Sequence, residues 1–286
     1  MDRNIVYNGD CLEIMNNFND NSIDMILTDP PYGLDVMNAD WSYDKIDKLT
    51  EKSNFSVIKG LPVGMKFNSE DAKQLGIFIE KCANNWIRVL KPGGFCLVFS
   101  SARSSHRVGV ALENAGFELR DQLIWNYGIG QSKAQGMQNF IKKSKFDNKN
   151  ELINKLYGYK TPQLTPTFET IWLCQKPKEG TFLENYLKWG VGLVDFNKEI
   201  KKVSFNFKKP FKDERKKAFN HPTLKPISLL EDLIQTFSKK EDTILDSFSG
   251  SGSTCVACIN TNRNYIAIEK DKFWYINTLN RIKNLS

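Results

Sequence analysis

Short apolar runs alternate with stretches of helical period along most of the chain. Residues 23–27 and 95–100 have the length and composition of buried strands, whereas residues 69–90 favour a helix. Ser69 is a suitable N-cap for that helix, and Lys91-Pro92-Gly93-Gly94 is its expected stop. The pattern predicts strands over 5–7, 23–27, 95–100, 122–126, 170–174, 244–245 and 266–268, and helices over 11–15, 69–90, 108–115, 227–236, 253–260 and 272–282.

This alternation is typical of an α/β fold, in which a mostly parallel sheet is covered by helices on both faces. A length of 286 residues suits one large α/β domain, alone or with a sizeable insertion. Residues 34–68 have few periodic positions, which predicts a long polar loop. A mean hydropathy of −0.43 and the lack of an apolar run near twenty residues exclude a membrane span.

Three predicted strands end in turns that carry chemistry, and open α/β sheets bind ligands at such ends. Residues 245–254 read Leu-Asp-Ser-Phe-Ser-Gly-Ser-Gly-Ser-Thr, a strand followed by a glycine loop and the start of a helix. The next strand ends at Glu269, whose carboxylate could accept both hydroxyls of a ribose. The third turn is Asp29-Pro30-Pro31-Tyr32.

The glycine loop is informative only together with the other two turns, because a single Gly-Ser-Gly also occurs in ordinary strand–helix turns. The loop has no Gly-Lys-Ser or Gly-Lys-Thr, which argues against a nucleoside triphosphate site. A nicotinamide dinucleotide loop needs a third glycine, and position 255 is cysteine. The remaining interpretation is a nucleoside ligand without a pyrophosphate.

Positive charge is concentrated in about a third of the sequence. Residues 133–220 hold 19 Lys and Arg against 9 Asp and Glu, a net of +10, while the whole chain carries +7. Aromatic residues, among them Tyr157, Tyr159 and Trp189, are interleaved with these cations. A solvated basic face would explain the charge alone, but cations interleaved with aromatic rings favour a nucleic acid partner.

Asp29-Pro30-Pro31-Tyr32 after an apolar strand, together with the glycine loop and Glu269, resembles the S-adenosylmethionine-dependent amino-methyltransferases of DNA. The tetrapeptide comes first, the basic region next and the glycine loop last, an order similar to the circularly permuted β group. Further segments carry the resemblance, and the ordered set spans 4–126 and 221–271. These segments are Asn8-Gly9-Asp10-Cys11, Arg88-Val89-Leu90-Lys91-Pro92-Gly93-Gly94 and His221-Pro222-Thr223-Leu224-Lys225-Pro226.

One position departs from the family pattern. Ser247 stands where the family usually has proline after the acid of the glycine loop. Serine leaves φ free where proline would fix it, so a slightly looser loop is expected. Cofactor binding should survive, because Phe248, Gly250 and Gly252 are in place.

The resemblance implies a Rossmann-like methyltransferase fold that transfers a methyl group to the N6 amine of a flipped adenine. Asp29 and the carbonyl of Pro30 would accept the two amine protons, Pro31 would help to stiffen the turn, and Tyr32 would stack on the base. No metal is required. Cytosine N4 is the narrower alternative, but that subgroup usually has serine at the position of Asp29.

The implied cofactor is S-adenosylmethionine, with its ribose at Glu269 and its adenine at Asp10. The methionine portion would lie at Asp246, beside Phe248 and the amides around Gly250 and Gly252. Lys225 and Thr223 would meet its carboxylate. Trp125 and Tyr127 either wall the base pocket or belong to the core.

Two domains are expected: residues 1–127 with 221–286 as the catalytic and cofactor-binding domain, and 128–220 as a basic DNA target-recognition insertion. Lys201, Lys202, Lys208 and Lys209 are the candidate phosphate contacts. Double-stranded DNA is the implied partner. A restriction endonuclease partner and a homodimer are both left open.

Other function classes stay as alternatives: a methyltransferase for RNA or protein, and a DNA-binding module without turnover. Cys255 and Cys258 form a single Cys-x-x-Cys on one predicted helix, which does not make a zinc site. All six cysteines are interpreted as core residues of a reducing compartment. Neither His106 nor His221 is assigned to catalysis. The polar N-terminus leads to the expectation of a cytoplasmic protein.

Overall fold

The computed structural model describes residues 2–32, 69–130, 132, 134–198, 200–219, 221 and 223–285. The predicted loop over 34–68 lies outside the described residues. The strands are β1 Ile5–Asn8, β2 Ile23–Thr28, β3 Leu90–Ser100, β4 Glu118–Asn126, β5 Phe168–Gln175, β6 Ser204–Asn206, β7 Thr243–Asp246 and β8 Asn264–Glu269. The helices are α1 Cys11–Met15, α2 Ser69–Val89, α3 Ser105–Asn114, α4 Met137–Lys143, α5 Lys149–Lys155, α6 Phe182–Trp189, α7 Lys212–Lys217, α8 Ile227–Phe237, α9 Ser253–Asn260 and α10 Lys272–Lys283.

The described strands form one sheet in the order β1-β8-β7-β2-β3-β5-β4-β6. Every neighbouring pair is parallel except those of β5, which runs antiparallel to both β3 and β4. The predicted mostly parallel α/β sheet is therefore confirmed. Strands β2 and β7 lie side by side although 217 residues separate Asp29 from Asp246.

Helices cover both faces of the sheet, and β2 shows why. Met25 and Leu27 point into a cluster with Leu229 and Leu233 of α8. Ile26, on the opposite face, packs with Trp86 of α2. Alternating side chains of a strand point to opposite faces, so the apolar run 25–27 of β2 must be buried on both.

Most predicted elements match the structure to within a few residues, and helix α9 matches to the residue. The largest boundary difference is at β3, which begins directly at Leu90 rather than at Phe95. Gly93, expected in the helix stop, lies inside this strand at φ +77°. It leaves space for the buried amide of Asn185, which a Cβ at Gly93 would approach to 2.2 Å.

The expected division into domains needs a correction at β5. This strand lies in the range 128–220, yet it pairs with both β3 and β4 in the middle of the sheet. Strand β6, in the same range, forms the sheet edge beside β4. The basic range therefore contributes two strands to the sheet, and its role in target recognition stays a prediction.

None of the helices described is long and apolar enough to cross a membrane.

Candidate active site

The candidate site lies at the carboxyl ends of β2, β7 and β8. Strand β2 leads through α2 to β3 on one side, whereas β7 leads through α9 to β8 on the other. The connections diverge between β2 and β7, and a crevice at such a point is where open α/β sheets bind ligands. Asp29 follows β2, and Asp246 and Glu269 end β7 and β8, so three predicted acids meet at this edge.

The glycine loop between β7 and α9 needs glycine at both predicted positions. Gly250 has φ +51° and Gly252 has φ +75°, a region that L-residues seldom adopt. A Cβ at Gly250 would lie 2.9 Å from Nε2 of His221, and one at Gly252 would lie 2.5 Å from Cγ2 of Thr278. The sequence therefore specifies a loop that a larger side chain would displace.

Helix α10 fixes this loop, a role that the sequence did not reveal. The hydroxyl of Thr278 donates to the carbonyl of Gly250 at 2.9 Å. Nη1 of the buried Arg281 donates to the carbonyl of Ser251 at 2.9 Å and to the hydroxyl of Ser253 at 3.1 Å. The loop is thus held from the helix that follows β8.

Ser247 anchors the loop in a way that proline could not. Its hydroxyl accepts a hydrogen bond from Nε1 of the buried Trp86 at 3.0 Å, and it lies 3.3 Å from the hydroxyl of Thr28. A buried indole N–H without a partner is costly, so this contact stabilises the packing of α2 against the loop. The freedom expected from the missing proline is offset by these contacts.

Asp246 organises the start of the loop from a buried position. Its Oδ1 accepts from the hydroxyl of Thr28 at 2.9 Å and from the backbone N–H of Phe248 at 3.1 Å. Its Oδ2 accepts from the hydroxyl of Thr254 at 2.6 Å. Burial raises the pKa of Asp246 to about 6, against these hydrogen bonds. Its predicted contact with the methionine portion of the cofactor stays a prediction.

Glu269 and Asp10 lie at the ends of neighbouring parallel strands, since Asn8 of β1 is in register with Glu269 of β8. Glu269 accepts from the backbone N–H groups of Gly250 and Asp271, each at 2.8 Å, and burial raises its pKa to about 7. Asp10 caps α1 through the N–H of Leu12 at 2.9 Å. Both carboxylates lie where a nucleoside across β1 and β8 would meet them, and their roles stay predictions.

In the turn after β2, one carboxylate oxygen of Asp29 is hydrogen-bonded and the other has no partner among the described residues. Oδ2 accepts a hydrogen bond from Nζ of Lys225. Oδ1 is buried and has no hydrogen-bond partner in the described part of the chain. Buried acceptors are nearly always paired, so an open one in a crevice marks a place for a donor from outside. Burial raises the pKa of Asp29, and the Lys225 ammonium opposes that rise.

Lys225 lies at the turn after β2, whereas the family resemblance implied a place for it near the cofactor carboxylate. Its Nζ pairs with Asp29, lies 3.4 Å from Oε2 of Glu169 and is 3.4 Å from the carbonyl of Thr223. Burial disfavours its charge, but the two carboxylates outweigh burial and raise the pKa of Lys225. Thr223 is exposed. The cofactor contacts of both residues stay predictions.

Glu169 is the member of this cluster that sequence reasoning missed. It lies on β5 and accepts a hydrogen bond from the hydroxyl of Tyr32 at 3.0 Å. Its place depends on the pairing of β5 with β4, in which Glu169 is opposite Trp125. The available signal was an acid beside a run of apolar strand residues, which by itself does not indicate the active site.

The two aromatic candidates beyond β4 have different environments. Trp125 is only 1% exposed and donates to the carbonyl of Phe207 at 2.7 Å, so the core interpretation is confirmed for it. Tyr127 is half-buried, and Nζ of Lys209 lies 3.8 Å from its ring centre. Burial raises the pKa of Tyr127 to about 12. Its role in the base pocket stays a prediction.

The cysteines are buried free thiols, as expected of core residues. His221 packs edge-on against Trp274 with ring centres 4.4 Å apart, next to Gly250. Burial, together with nearby cations, lowers its pKa to about 3. His221 is therefore a neutral packing residue of the glycine loop at physiological pH.

The site suits a nucleoside cofactor. The glycine positions form a cradle that side chains would fill, Glu269 offers a carboxylate beside it, and the buried hydroxyl of Ser249 has no partner among the residues described. The mostly parallel sheet with helices on both faces is Rossmann-like. Fold and site together define a Rossmann-like protein with a site for a nucleoside cofactor.

Residues 23–279 match the family described as DNA methylase, N6_N4_Mtase. The chain belongs to this family. S-adenosylmethionine is the methyl donor of the family, so the predicted cofactor is confirmed at this level. The resemblance inferred from the motifs is confirmed for the family, while membership of the permuted β group stays a prediction.

Two curated relatives are similar over nearly the whole chain. The Type II methyltransferase M.HindIII of Haemophilus influenzae is 30% identical, over 97% of this chain and 94% of its own length. The Type II methyltransferase M2.MboI of Moraxella bovis is 28% identical, over 93% of this chain and 82% of its own.

Two solved structures share the fold. The M1.HpyAVI-SAM complex has a TM-score of 0.59 at 22% identity and covers 97% of this chain and 98% of that one. The PvuII DNA methyltransferase, described as cytosine-N4-specific, has a TM-score of 0.61 at 17% identity over 98% and 86% of the two chains. At these identities the comparison shows the fold alone, and it leaves the choice between adenine N6 and cytosine N4 open.

Proposed function

We propose that the protein transfers a methyl group from S-adenosylmethionine to the N6 amine of an adenine flipped out of double-stranded DNA. The observation that supports this proposal most directly is the buried Oδ1 of Asp29 at the carboxyl end of β2, which has no hydrogen-bond partner among the described residues. An exocyclic amine has two N–H donors and a lone pair delocalised into the ring. A fixed acceptor for one of those protons favours the pyramidal amine that can attack.

Each residue of the turn has a part in this chemistry. Asp29 accepts a hydrogen bond from one amine N–H, and the Pro30 carbonyl accepts one from the other. As the new N–C bond forms and the sulfonium S–CH3 bond breaks, the surplus proton of the amine passes to the Asp29 carboxylate. Pro31 stiffens the turn, so both acceptors keep their positions. Tyr32 provides the stacking face for the base. The bound cofactor supplies an electrophilic methyl group, and positioning of the amine supplies much of the rate gain.

The order of the elements supports assignment to the permuted β group. The catalytic strand β2 comes early in the chain, whereas the glycine loop after β7 comes late, yet β2 and β7 are hydrogen-bonded neighbours. The crevice depends on the order of strands in the sheet and not on their order in the sequence.

Identification of the product tests the proposed base and substrate. The purified protein is incubated with cofactor carrying a labelled methyl group and with unmethylated DNA, RNA or protein in parallel. The DNA is then digested to nucleosides and analysed by mass spectrometry. We expect the label in N6-methyldeoxyadenosine; label in N4-methyldeoxycytidine would overturn the choice of base, and label only in RNA or protein would overturn DNA as substrate.

We infer that the basic range contributes phosphate contacts, with Lys208 and Lys209 nearest the site. Lys209 lies against the ring of Tyr127, and Nζ of Lys208 is 6.0 Å from the ring centre of Phe211. Lys201 and Lys202 are exposed just before β6. Aromatic rings beside exposed cations suit a strand whose phosphates and bases lie close together.

Neutralising Lys201, Lys202, Lys208 and Lys209 to glutamine should weaken DNA binding to all sequences alike. Phosphate contacts carry affinity with little sequence information, so the log–log salt slope should become shallower by up to about 0.9 for each phosphate that is no longer neutralised. Fluorescence anisotropy over a series of salt concentrations measures the slope. Testing the pairs 201/202 and 208/209 separately locates the phosphate-binding surface.

A matched control replaces Lys240 and Lys283 by glutamine. Lys240 is exposed near the start of β7, and Lys283 is exposed at the end of α10. That pair should leave the slope unchanged. An unchanged slope in the fourfold variant, with normal methylation, would move the DNA-binding surface to other residues. Residues 34–68, which follow the Asp29 turn in sequence, would then be the next choice.

A further inference from the structure

Glu169 is a partly buried carboxylate at the catalytic turn that the proposed chemistry does not use. Its side chain is 19% exposed, and it contacts residues from two other segments of the chain. The hydroxyl of Tyr32, from the turn after β2, donates to its Oε2 at 3.0 Å. Nζ of Lys225, from the segment before α8, lies 3.4 Å from the same oxygen. Strand β5 thus joins two parts of the site that are distant in sequence.

The contact with Tyr32 restrains a side chain that the reaction needs in one orientation. Tyr32 is partly buried, and the proposed stacking on the base needs its ring in one orientation. A hydrogen bond to a charged acceptor on a sheet strand favours one orientation, because a charge-assisted bond is stronger than a neutral one. Glu169 is placed to select the orientation of the Tyr32 ring.

The contact with Lys225 controls how that cation is shared. Nζ of Lys225 lies 5.5 Å from the ring centre of Tyr32 and 5.1 Å from that of Phe99, and the side chain is 7% exposed. The carboxylates of Asp29 and Glu169 therefore compete for one ammonium group that is almost completely buried. With Glu169 attracting it from one side, Lys225 binds only Oδ2 of Asp29, and Oδ1 stays open to a donor from outside the described residues.

We propose that Glu169 is a positioning residue for methyl transfer, which orients Tyr32 by a hydrogen bond and shares Lys225 with Asp29 by an ion pair. This inference rests on the proposed function, because it assigns Glu169 a part in the same reaction. Glu169 touches neither the base nor the cofactor in this role. It acts through the two side chains that it holds.

Three variants separate the two contacts. Glu169→Ala removes both, and we expect kcat to fall on the order of 10²-fold, as for a misplaced reacting group. Glu169→Gln keeps an acceptor for Tyr32 and removes the charge, so it should rescue part of the rate. Tyr32→Phe keeps the ring and removes the hydroxyl. Combined with Glu169→Ala it should cost less than the product of the single losses, because both changes break one hydrogen bond.

The pH profile gives a signature that a merely structural residue would not produce. With S-adenosylmethionine held at saturation at every pH, so that protonation of Glu269 does not limit the rate, the acid limb of kcat/KM for DNA is expected to follow the ionisation of Asp29. Loss of the Glu169 charge removes a repulsion and should move this limb to lower pH, whereas Lys225→Met removes an attraction and should move it to higher pH. The other titratable groups around the cluster are Tyr32, Asp246, Tyr127, Lys209 and His221, and both variants leave them in place.

Glu118→Gln is the matched control, because Glu118 lies at the opposite end of the β4–β5 pair, where it faces Gln175. It should keep the parental rate and pH profile. Cofactor affinity by calorimetry and the melting temperature are measured for every variant, and both should stay near the parental values for Glu169→Gln.

Parental kcat and an unmoved acid limb in both Glu169 variants would overturn the positioning role while leaving the proposed function intact. The positioning role is also overturned if the fall in kcat is matched by a fall in cofactor affinity and melting temperature with no shift of the limb. A parent protein that methylates no DNA would instead overturn the proposed function, and the role of Glu169 with it.

Discussion

Replacing Asp29 by alanine is expected to abolish methyl transfer while the affinity for S-adenosylmethionine stays near the parental value. Asp29 offers its open Oδ1 to the reacting amine, and loss of one fixed group of this kind costs roughly 3–4 kcal/mol of transition-state stabilisation. The cofactor's proposed anchors are elsewhere, at Glu269 and the glycine loop. Initial rates with labelled cofactor and calorimetry of cofactor binding measure the two quantities.

The fold should tolerate this change because Lys225 retains a carboxylate neighbour. Oε2 of Glu169 lies 3.4 Å from its Nζ, so the nearly buried ammonium is not left unpaired. Asp29→Asn is the conservative companion: it keeps a carbonyl acceptor and loses the charge, and we expect an intermediate rate. Turnover of Asp29→Ala within about tenfold of the parent would remove Asp29 from the reaction.

The edge of the sheet at which the candidate site lies could be predicted from the sequence, because the relevant signals are local. Asp29, Asp246 and Glu269 each follow a short apolar strand, and the end of a strand is visible in the pattern of residues. Parallel strands of one sheet present these ends at one edge. In the structure β2 and β7 are hydrogen-bonded neighbours, which brings Asp29 and Asp246 to the same part of that edge.

The features of the site that could not be predicted depend on strand register and on packing between segments that are distant in sequence. Glu169 enters the site only because β5 pairs antiparallel with β4 and β3, and no local pattern specifies that pairing. Thr278 and Arg281 looked like ordinary residues of the last helix, yet they hold the glycine loop. Their roles arise from the packing of that helix against a loop that precedes it in sequence.

The short helices α4 to α7 were missed for a different reason. They span six to eight residues each, and helices of that length depend on caps and tertiary contacts more than on intrinsic propensity. Helix α6 shows this clearly. Thr181 and Glu184 form a capping box at its start, and Gly190 at φ +72° ends it. These signals bound the helix, but the apolar period between them is too short to indicate one.

The affinity for S-adenosylmethionine is expected to fall as the pH drops below about 7, through the ionisation of Glu269. Burial raises the pKa of Glu269 to about 7, so the carboxylate is largely protonated in slightly acidic solution. Ribose hydroxyls donate to the ionised form, and binding must then remove the proton. Affinity should decrease by about tenfold for each pH unit below the pKa and level off above it. Calorimetry from pH 5.5 to about 8.5 measures this profile.

Glu269→Gln separates the charge from the shape of this site. Glutamine keeps one acceptor, which can serve the N–H of Gly250 now 2.8 Å from Oε2 of Glu269, so the glycine loop should keep its position; the hydrogen bond from the N–H of Asp271 to Oε1 is lost. At about pH 8 the variant should bind the cofactor more weakly by about 1.5–3 kcal/mol, the value of hydrogen bonds to a charged acceptor. It should also lose the pH dependence near 7. A weaker dependence near pH 6 should persist, because burial raises the pKa of Asp246 to about 6 and that carboxylate is unchanged. Equal affinity of variant and parent across the whole range would remove Glu269 from the cofactor site, while a profile that keeps its step near 7 in the variant would assign that step to another group.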